Sequence, residues 1–344
     1  MVKISIVILN YNGKRHLERF LPSVVQYSTL PDTEIVVADN GSTDDSMSFL
    51  QTVYPHIRLV LLDKNYGFAG GYNHALQQVE ADYFVLLNSD VEVTENWLQP
   101  VINEMDARPE VAACQPKILA LNKRTHFEHA GACGGFIDRL GYPFCRGRLF
   151  TSLERDKGQY DTIIDIFWAT GASLFIRSKD FFETGGFDES FFAHMEEIDL
   201  CWRRKNRGRK IICVPQSTVY HLGGGSMSAK NSRKTYLNFR NNWMMLYKNL
   251  PDATLRTLLF PRFVLDYVAA AQMLVTGQFK HALQIPKARR DYRLSKPLLE
   301  AKRQENLRLT TVHAPSGVLN CSLVRLYYLH GKKRFTQIAD KIRK

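Results

Sequence analysis

The sequence predicts an α/β fold with a mostly parallel central sheet, followed by a basic helical C-terminal region. Three observations carry this. Up to about residue 118, short apolar runs alternate with stretches of helical periodicity, at the spacing that right-handed crossovers need. Two of the runs, Ile35-Val36-Val37-Ala38 and Tyr83-Phe84-Val85-Leu86-Leu87, are continuously apolar, as strands covered on both faces are. Charge is unevenly placed: residues 1–225 carry 23 Lys and Arg against 28 Asp and Glu, and residues 226–344 carry 23 against 6. The net of +12 therefore comes from the tail, at +17 against −5 for the rest.

In chain order, strands are expected at 3–10, 34–39, 57–62, 83–87 and 111–118, and helices at 15–27, 44–54, 69–79 and 97–107. Ser42 or Thr43 is placed to cap the helix that opens near Asp44. Residues 119–160 are rich in Gly, Arg and aromatic residues, which predicts irregular loops or a small hairpin over the active face. A strand at 163–176, a helix at 178–183 and a helix at 197–206 follow, the last ending at Gly208 as a helix C-terminus does. Beyond 226, Leu255, Leu258, Leu259, Phe263, Tyr267, Ala271 and Leu274 recur at three- and four-residue steps, an amphipathic face with a break expected at Pro261. The longest apolar stretch, Phe263 to Val275, is interrupted by Asp266 and Gln272 and is shorter than the ~20 residues of a spanning helix, so no transmembrane helix is expected. Two regions result, 1–225 catalytic and 226–344 helical and basic. The six cysteines form no Cys-x-x-Cys pair and the chain opens on a strand, which points to a reduced, cytoplasmic compartment.

Three acidic clusters stand where strands end or helices begin: Asp39-Asn40-Gly41-Ser42-Thr43-Asp44, Asn88-Ser89-Asp90 and Glu196-Glu197-Ile198-Asp199. Parallel sheets bind ligands at the carboxyl ends of their strands. Other segments stand in order with these clusters: Ser5 to Asn12, Asn65 to Asn73, Thr170-Gly171-Ala172, Gly185 to Asp188 and His221 to Ser226. From about Ile4 to Lys248 the set resembles the family-two glycosyltransferases of the GT-A (Rossmann-like) fold, most closely the bacterial branch with rhamnosyltransferases and galactofuranosyltransferases. The resemblance implies a metal-dependent, inverting transfer from a nucleotide-diphosphate sugar, dTDP-rhamnose-like or UDP-hexose. The acceptor it implies is a hydroxyl of a glycan or lipid-linked glycan in cell-surface polysaccharide biosynthesis.

Such a transferase needs a base for the acceptor hydroxyl and an electrophile for the departing diphosphate. Asp90, after a buried strand, suits a divalent cation held through few protein groups plus diphosphate oxygens; a helix-capping turn carboxylate is the plainer alternative. His221 lies where related transferases place a metal-binding histidine, before the Gly223 to Gly225 stretch that permits close backbone approach, and an imidazole ligand favours Mn²⁺ over Mg²⁺. Asn88 stands where the family's triplet begins with Asp, which makes Asn88 and Ser89 donor contacts and not metal ligands. By resemblance Asp39 reads the nucleotide base, with Leu9, Tyr11 and Asn12 around it and Gly41 and Asn65 in the same set. Gly67 and Gly70 open a helix that is able to present N–H groups to anionic oxygens. Trp168, Thr170 and Gly171 are expected at the acceptor or phosphate, and Arg240 at phosphate unless it belongs to a solvated basic face.

Adjacent helical residues lie about 100° apart, so one of Glu196 and Glu197 is expected to be the base. Glu196 shares a face with Asp199, which is spaced for a surface ion pair with Arg203. Glu197 remains, and it also holds the second position of the family's acidic pair. A nucleotidyltransferase is the rival enzyme, disfavoured because the first strand–helix turn has no Lys- or Arg-bearing Gly-rich phosphate loop. The basic tail alone would also suit a nucleic-acid-binding protein. Its apolar face fits docking on the cytoplasmic side of the inner membrane better.

Overall fold

The computed structural model describes residues 3–223 and 231–343. Its first part runs β1 (Ile4–Asn10), α1 (Lys14–Tyr27), β2 (Thr33–Asp39), α2 (Ser46–Val53), β3 (Arg58–Leu61), α3 (Gly67–Leu76) and β4 (Tyr83–Asn88). Next come β5 (Val91–Val93), α4 (Gln99–Ala107), β6 (Val111–Ala120), β7 (Lys123–Phe127), β8 (Gly135–Asp138), β9 (Pro143–Cys145), β10 (Arg148–Leu149) and β11 (Ser152–Leu153). The chain continues with β12 (Ile164–Asp165), β13 (Ser173–Arg177), α5 (Ser178–Glu183), α6 (Glu196–Asn206) and β14 (Lys210–His221). It closes with α7 (Ser232–Asn249), α8 (Asp252–Val275), α9 (Phe279–Ala282), α10 (Gln284–Arg308) and β15 (Val318–Leu319).

The main sheet has the order β12-β14-β6-β13-β4-β1-β2-β3, with β5 added to β14 and β7 to β6. Strands β1 to β4 are parallel, as the alternation predicts. Consecutive residues of their apolar runs serve opposite cores: Phe84 and Leu86 join the cluster under α3 and the second sheet, Val85 and Leu87 the cluster under α1 and α4. The sheet is more mixed than the sequence suggests, because β13 lies antiparallel to both β4 and β6. The single strand expected at 163–176 is split for the same reason. Ile164 and Asp165 pair with β14, residues 167–171 leave the ladder as Phe167 and Trp168 bond to Gly135, and β13 then enters beside β4.

Residues 119–160, expected as loops or one hairpin, contribute most of a second sheet, β11-β10-β9-β8-β15. Its β8–β9 turn contains Gly141 at φ +83°, a value that favours glycine. Its last strand comes from the tail: β15 runs parallel to β8, and α7 packs on α6, so the chain crosses back over the expected boundary at 225. Ser42 and Thr43 do not cap α2. The helix opens at Ser46, and Asp44 accepts from the Ser46 N–H at 3.1 Å. Pro261 does not break α8 either; it removes one helical donor while the flanking Leu258 and Arg262 are anchored in the protein. The resulting 24-residue helix is, by length and composition alone, sufficient to cross a membrane, contrary to the expectation from its interrupted apolar run.

Candidate active site

Parallel register brings the site together. Leu9 pairs with Asn88 and Asn10 with Asp39, so the segments leaving β1, β2 and β4 emerge at one edge of the sheet. Two cavities open there. One, of about 330 Å³, is walled by Tyr11, Asn12, Asn40, Asn65, Asn88 and Arg233, among others. The second, of about 590 Å³, is walled by Asp90, Glu128, Thr170, Glu196, Glu197 and His221. Both share Phe68, Asn88, Asp90 and Ala193, so they form one continuous groove. Leu9, Gly67 and Ser89 line the first part and Gly171 the second, as expected.

Five expected residues are elsewhere. Asp39 lies under the groove with its oxygens occupied, accepting from Asn10 Nδ2 at 3.0 Å and from the Ser42 N–H at 2.9 Å. Its neighbour Asn40 takes the wall position and ties the α3 entrance through the Gly67 carbonyl and the Tyr66 N–H. Gly41 and Gly70 are packing glycines: a Cβ on Gly41, at φ +74°, would lie 2.7 Å from the Lys64 backbone, and one on Gly70 would lie 3.0 Å from Tyr66. Trp168 is core. Its indole donates to the Phe136 carbonyl at 2.9 Å and its ring covers Gly135. Arg240 faces neither cavity and donates to the Ser190 and Phe191 carbonyls at 2.9 and 3.2 Å. Arg233 and Lys234, two turns earlier on α7, supply the groove's basic groups instead. The sequence signal for them is their position at the start of the helix that follows the Gly-rich stretch. Of that stretch, Gly224 and Gly225 lie outside the described residues.

Glu196 and Glu197 open α6 from a turn in which Phe192, His194 and Met195 all have φ between 64° and 75°. Non-glycine residues hold such angles only when their surroundings impose them. Here Asn241 does so: its Nδ2 lies 2.8–2.9 Å from the carbonyls of Phe191, Ala193 and His194. Both glutamates line the groove, because first-turn side chains lean toward the helix N-terminus and are not yet screened by a preceding turn. Each has a buried Oε2 without a hydrogen-bond partner. Burial pushes Glu197 up to about 7. Burial and then the charge of Glu197 hold Glu196 well above the ordinary carboxylate value, so the pair retains a proton near neutrality. Asp199 points the other way. Its pair with Arg203, at 2.9 Å, is buried and not at the surface, and Lys248 and Asn249 complete it at 2.8 Å each.

His221 and Asp90 do meet, with Nε2 3.1 Å from Oδ1, and the sequence reading missed the third member, Glu128, whose Oε2 is 3.3 Å from His221 Nδ1. Glu128 has no spacing signal in the sequence. Burial works against a charged imidazole, but the hydrogen bonds and charges of the two carboxylates outweigh it and raise His221 to about 10. Burial likewise opposes ionisation of Asp90 and Glu128, yet His221 holds both below their ordinary values. Among the described residues no three His, Cys, Asp or Glu side chains form a ready-made metal cage. Asp90 Oδ2 is nevertheless buried, unpartnered and at the junction of the two cavities. That suits a cation completed by ligand oxygens.

A mixed sheet whose parallel strands end on a joined, carboxylate-lined groove is the architecture of a GT-A transferase. Residues 5–173 match the family model of glycosyl transferase family 2. It is 27% identical over 233 residues to N-acetylglucosaminyl-diphospho-decaprenol L-rhamnosyltransferase of Mycobacterium tuberculosis, covering 63% of this chain and 75% of the relative. With rhamnosyltransferase WbbL of Escherichia coli K12 it shares 23% over 226 residues, 63% of this chain and 83% of that one. Among solved structures, GalNAc-T7 with UDP, GalNAc and Mn²⁺ superposes with a TM-score of 0.57 at 17% identity, covering 85% of this chain and 55% of that chain. That likeness is one of fold.

Proposed function

We propose that this glycosyltransferase moves a sugar, with inversion, from a nucleotide-diphosphate donor to a hydroxyl of a lipid-linked glycan. The single observation that carries the reading is the continuous groove with Asn88 and Asp90 at its join and the unpartnered Glu196/Glu197 pair in its second half. The nucleoside belongs in the smaller cavity, between Tyr11, Asn12 and Asn40, with the ribose at Asn88 and the diphosphate toward Arg233 and Lys234. The acceptor enters the larger cavity, where Glu197 takes the proton of its hydroxyl as the oxygen attacks the anomeric carbon from the face opposite the leaving diphosphate. A carboxyl raised to about 7 by burial is suited to that proton transfer near neutral pH. Glu196, protonated beside it, keeps a second negative charge away from the incoming oxygen. Asp90, with His221 and Glu128 behind it, is the group that would hold a divalent cation, Mn²⁺ or Mg²⁺, which when bound neutralises charge on the diphosphate. The rhamnosyltransferase relatives favour a dTDP-rhamnose-like donor over a UDP-hexose, and the decaprenol-linked acceptor in one relative's name favours a polyprenyl-linked glycan.

A panel of nucleotide sugars tests this. Release of nucleoside diphosphate from one donor, and an inverted anomer in the product by NMR, is the expected result. Pyrophosphate release from a nucleoside triphosphate and a sugar phosphate would instead establish the rival nucleotidyltransferase.

A further inference from the structure

Helix α8 is built inside out. Its buried positions include Arg262 and Asp266, and its exposed face carries Phe260, Phe263, Val264, Tyr267, Val268 and Val275, of which Phe260 is 75% and Val275 89% exposed. The docked side holds this buried pair together with Leu255, Leu258 and Ala270. Arg262 donates to the Leu140 carbonyl at 2.7 Å and lies 3.3 Å from Asp266, whose other oxygen accepts from the Trp243 indole at 2.8 Å and faces Arg289 at 3.5 Å. A helix covering a soluble core shows the reverse pattern, apolar side in and charges out. The exposed apolar character continues past the helix end with Phe279, 61% exposed, and Leu283, 66% exposed, and reappears on α10 at Leu294 and Leu298. So extended an apolar surface on a folded chain marks a binding face.

Charge identifies what covers it. Arg256 stands one turn before Phe260 on the same stripe, and Lys287 and Arg290 share an exposed face of α10 with Leu294 and Leu298 by three- and four-residue spacing. Arg256, Lys280, Lys287 and Arg293 are exposed, and none has a carboxylate within ion-pair distance among the described residues. A partner protein of ordinary surface would answer an apolar stripe without needing this excess of cations. An anionic bilayer answers both features, taking the apolar side chains below its headgroups while the basic ones stay at the phosphates. Because Arg262 and Asp266 bind the helix to α7, α10 and the second sheet, it lies along the surface and does not cross it. We infer that the exposed face of α8, with α9 and the outer face of α10, docks this enzyme in the plane of an anionic membrane.

Vesicle flotation of the full chain tests this without reference to sugar transfer. Three proteins are compared: wild type, the apolar variant Phe260→Gln/Val264→Gln/Val268→Gln, and the charge variant Arg256→Gln/Lys280→Gln/Lys287→Gln. All substituted positions are exposed, and an unchanged melting temperature verifies folding. Wild type is expected to float with phosphatidylglycerol–phosphatidylcholine vesicles, less so as salt rises, and only weakly with phosphatidylcholine alone. The apolar variant should bind roughly tenfold or more weakly at every salt concentration, and the charge variant should lose most of the salt dependence. Absence of wild-type flotation with anionic vesicles at low salt overturns the inference. So does a dimer in light scattering that the apolar variant separates without any change in flotation, because the face would then be occupied by a second copy of the chain.

Discussion

Replacing Asn241 with alanine separates positioning from chemistry. One buried amide faces three carbonyls of the turn that presents Glu196 and Glu197. A buried carbonyl left without a partner costs about 1–3 kcal/mol, and Arg240 still reaches the Phe191 carbonyl, so the loss of stability is set at about 3 kcal/mol. For a chain of this size that is a fall of roughly 4 °C in melting temperature. Phe192, His194 and Met195 each hold a left-handed backbone that costs about 1–3 kcal/mol. Freed of the clamp, the turn relaxes, and a shift of about 1 Å in the base lowers turnover roughly a hundredfold. Donor affinity should change only a few-fold, since Tyr11, Asn12 and Asn88 are held by β1 and β4. Calorimetric donor binding, thermal melting and nucleotide-release kinetics read the three quantities separately. A lowered melting temperature with unchanged turnover would refute the reasoning, because the glutamates would then be positioned without the clamp.

Turnover should rise with pH through about 7 as Glu197 loses its proton, and the Glu197→Gln profile should lack that limb. The same shift weakens the fold as pH rises. A carboxyl raised in the folded state binds more protons there than when unfolded, so its stabilisation is full below about 4.5 and is lost as pH climbs toward 7; denaturant midpoints of wild type and Glu197→Gln should converge at acid pH. Asp90→Asn should abolish the dependence of donor binding on Mn²⁺ or Mg²⁺, and full wild-type activity in excess chelator would remove the metal from the account. Lys248→Met leaves Asp188 and Asp199 short of a buried cation at 2.7 and 2.8 Å, and should cost about 3 kcal/mol in urea unfolding while donor binding is kept.

The strands that carry the site were readable because continuous apolar runs ending in Asn and Asp have few other uses. The turn at Asp39 is a different matter: an Asp at a strand end serves equally well as a ligand contact or as an acceptor for its own turn, and local sequence does not distinguish Asp39 from Asn40. Trp168 and Arg240 failed for a related reason. Their chemistry suits a substrate, but a carbonyl of β8 and two carbonyls of the 190–195 turn lie in reach. The antiparallel entry of β13 and the pairing of β15 with β8 join segments far apart in sequence, and no local periodicity encodes a partner. Glu128 reaches His221 through the same kind of long-range folding. The amphipathic spacing of α8 was legible, but not which face would turn inward, since that depends on Asp266 meeting Trp243 and Arg289.

The central claim is that Glu197 removes the acceptor proton in a groove that binds the donor independently of it. Glu197→Gln keeps the size of the side chain and deletes its basicity. Measured with the best donor of the panel, its dissociation constant should stay within a few-fold of wild type, while the rate of nucleotide release falls roughly 10²–10⁴-fold. Near-normal turnover in this variant, with Glu196→Gln inactive, would contradict the claim and move the base to Glu196.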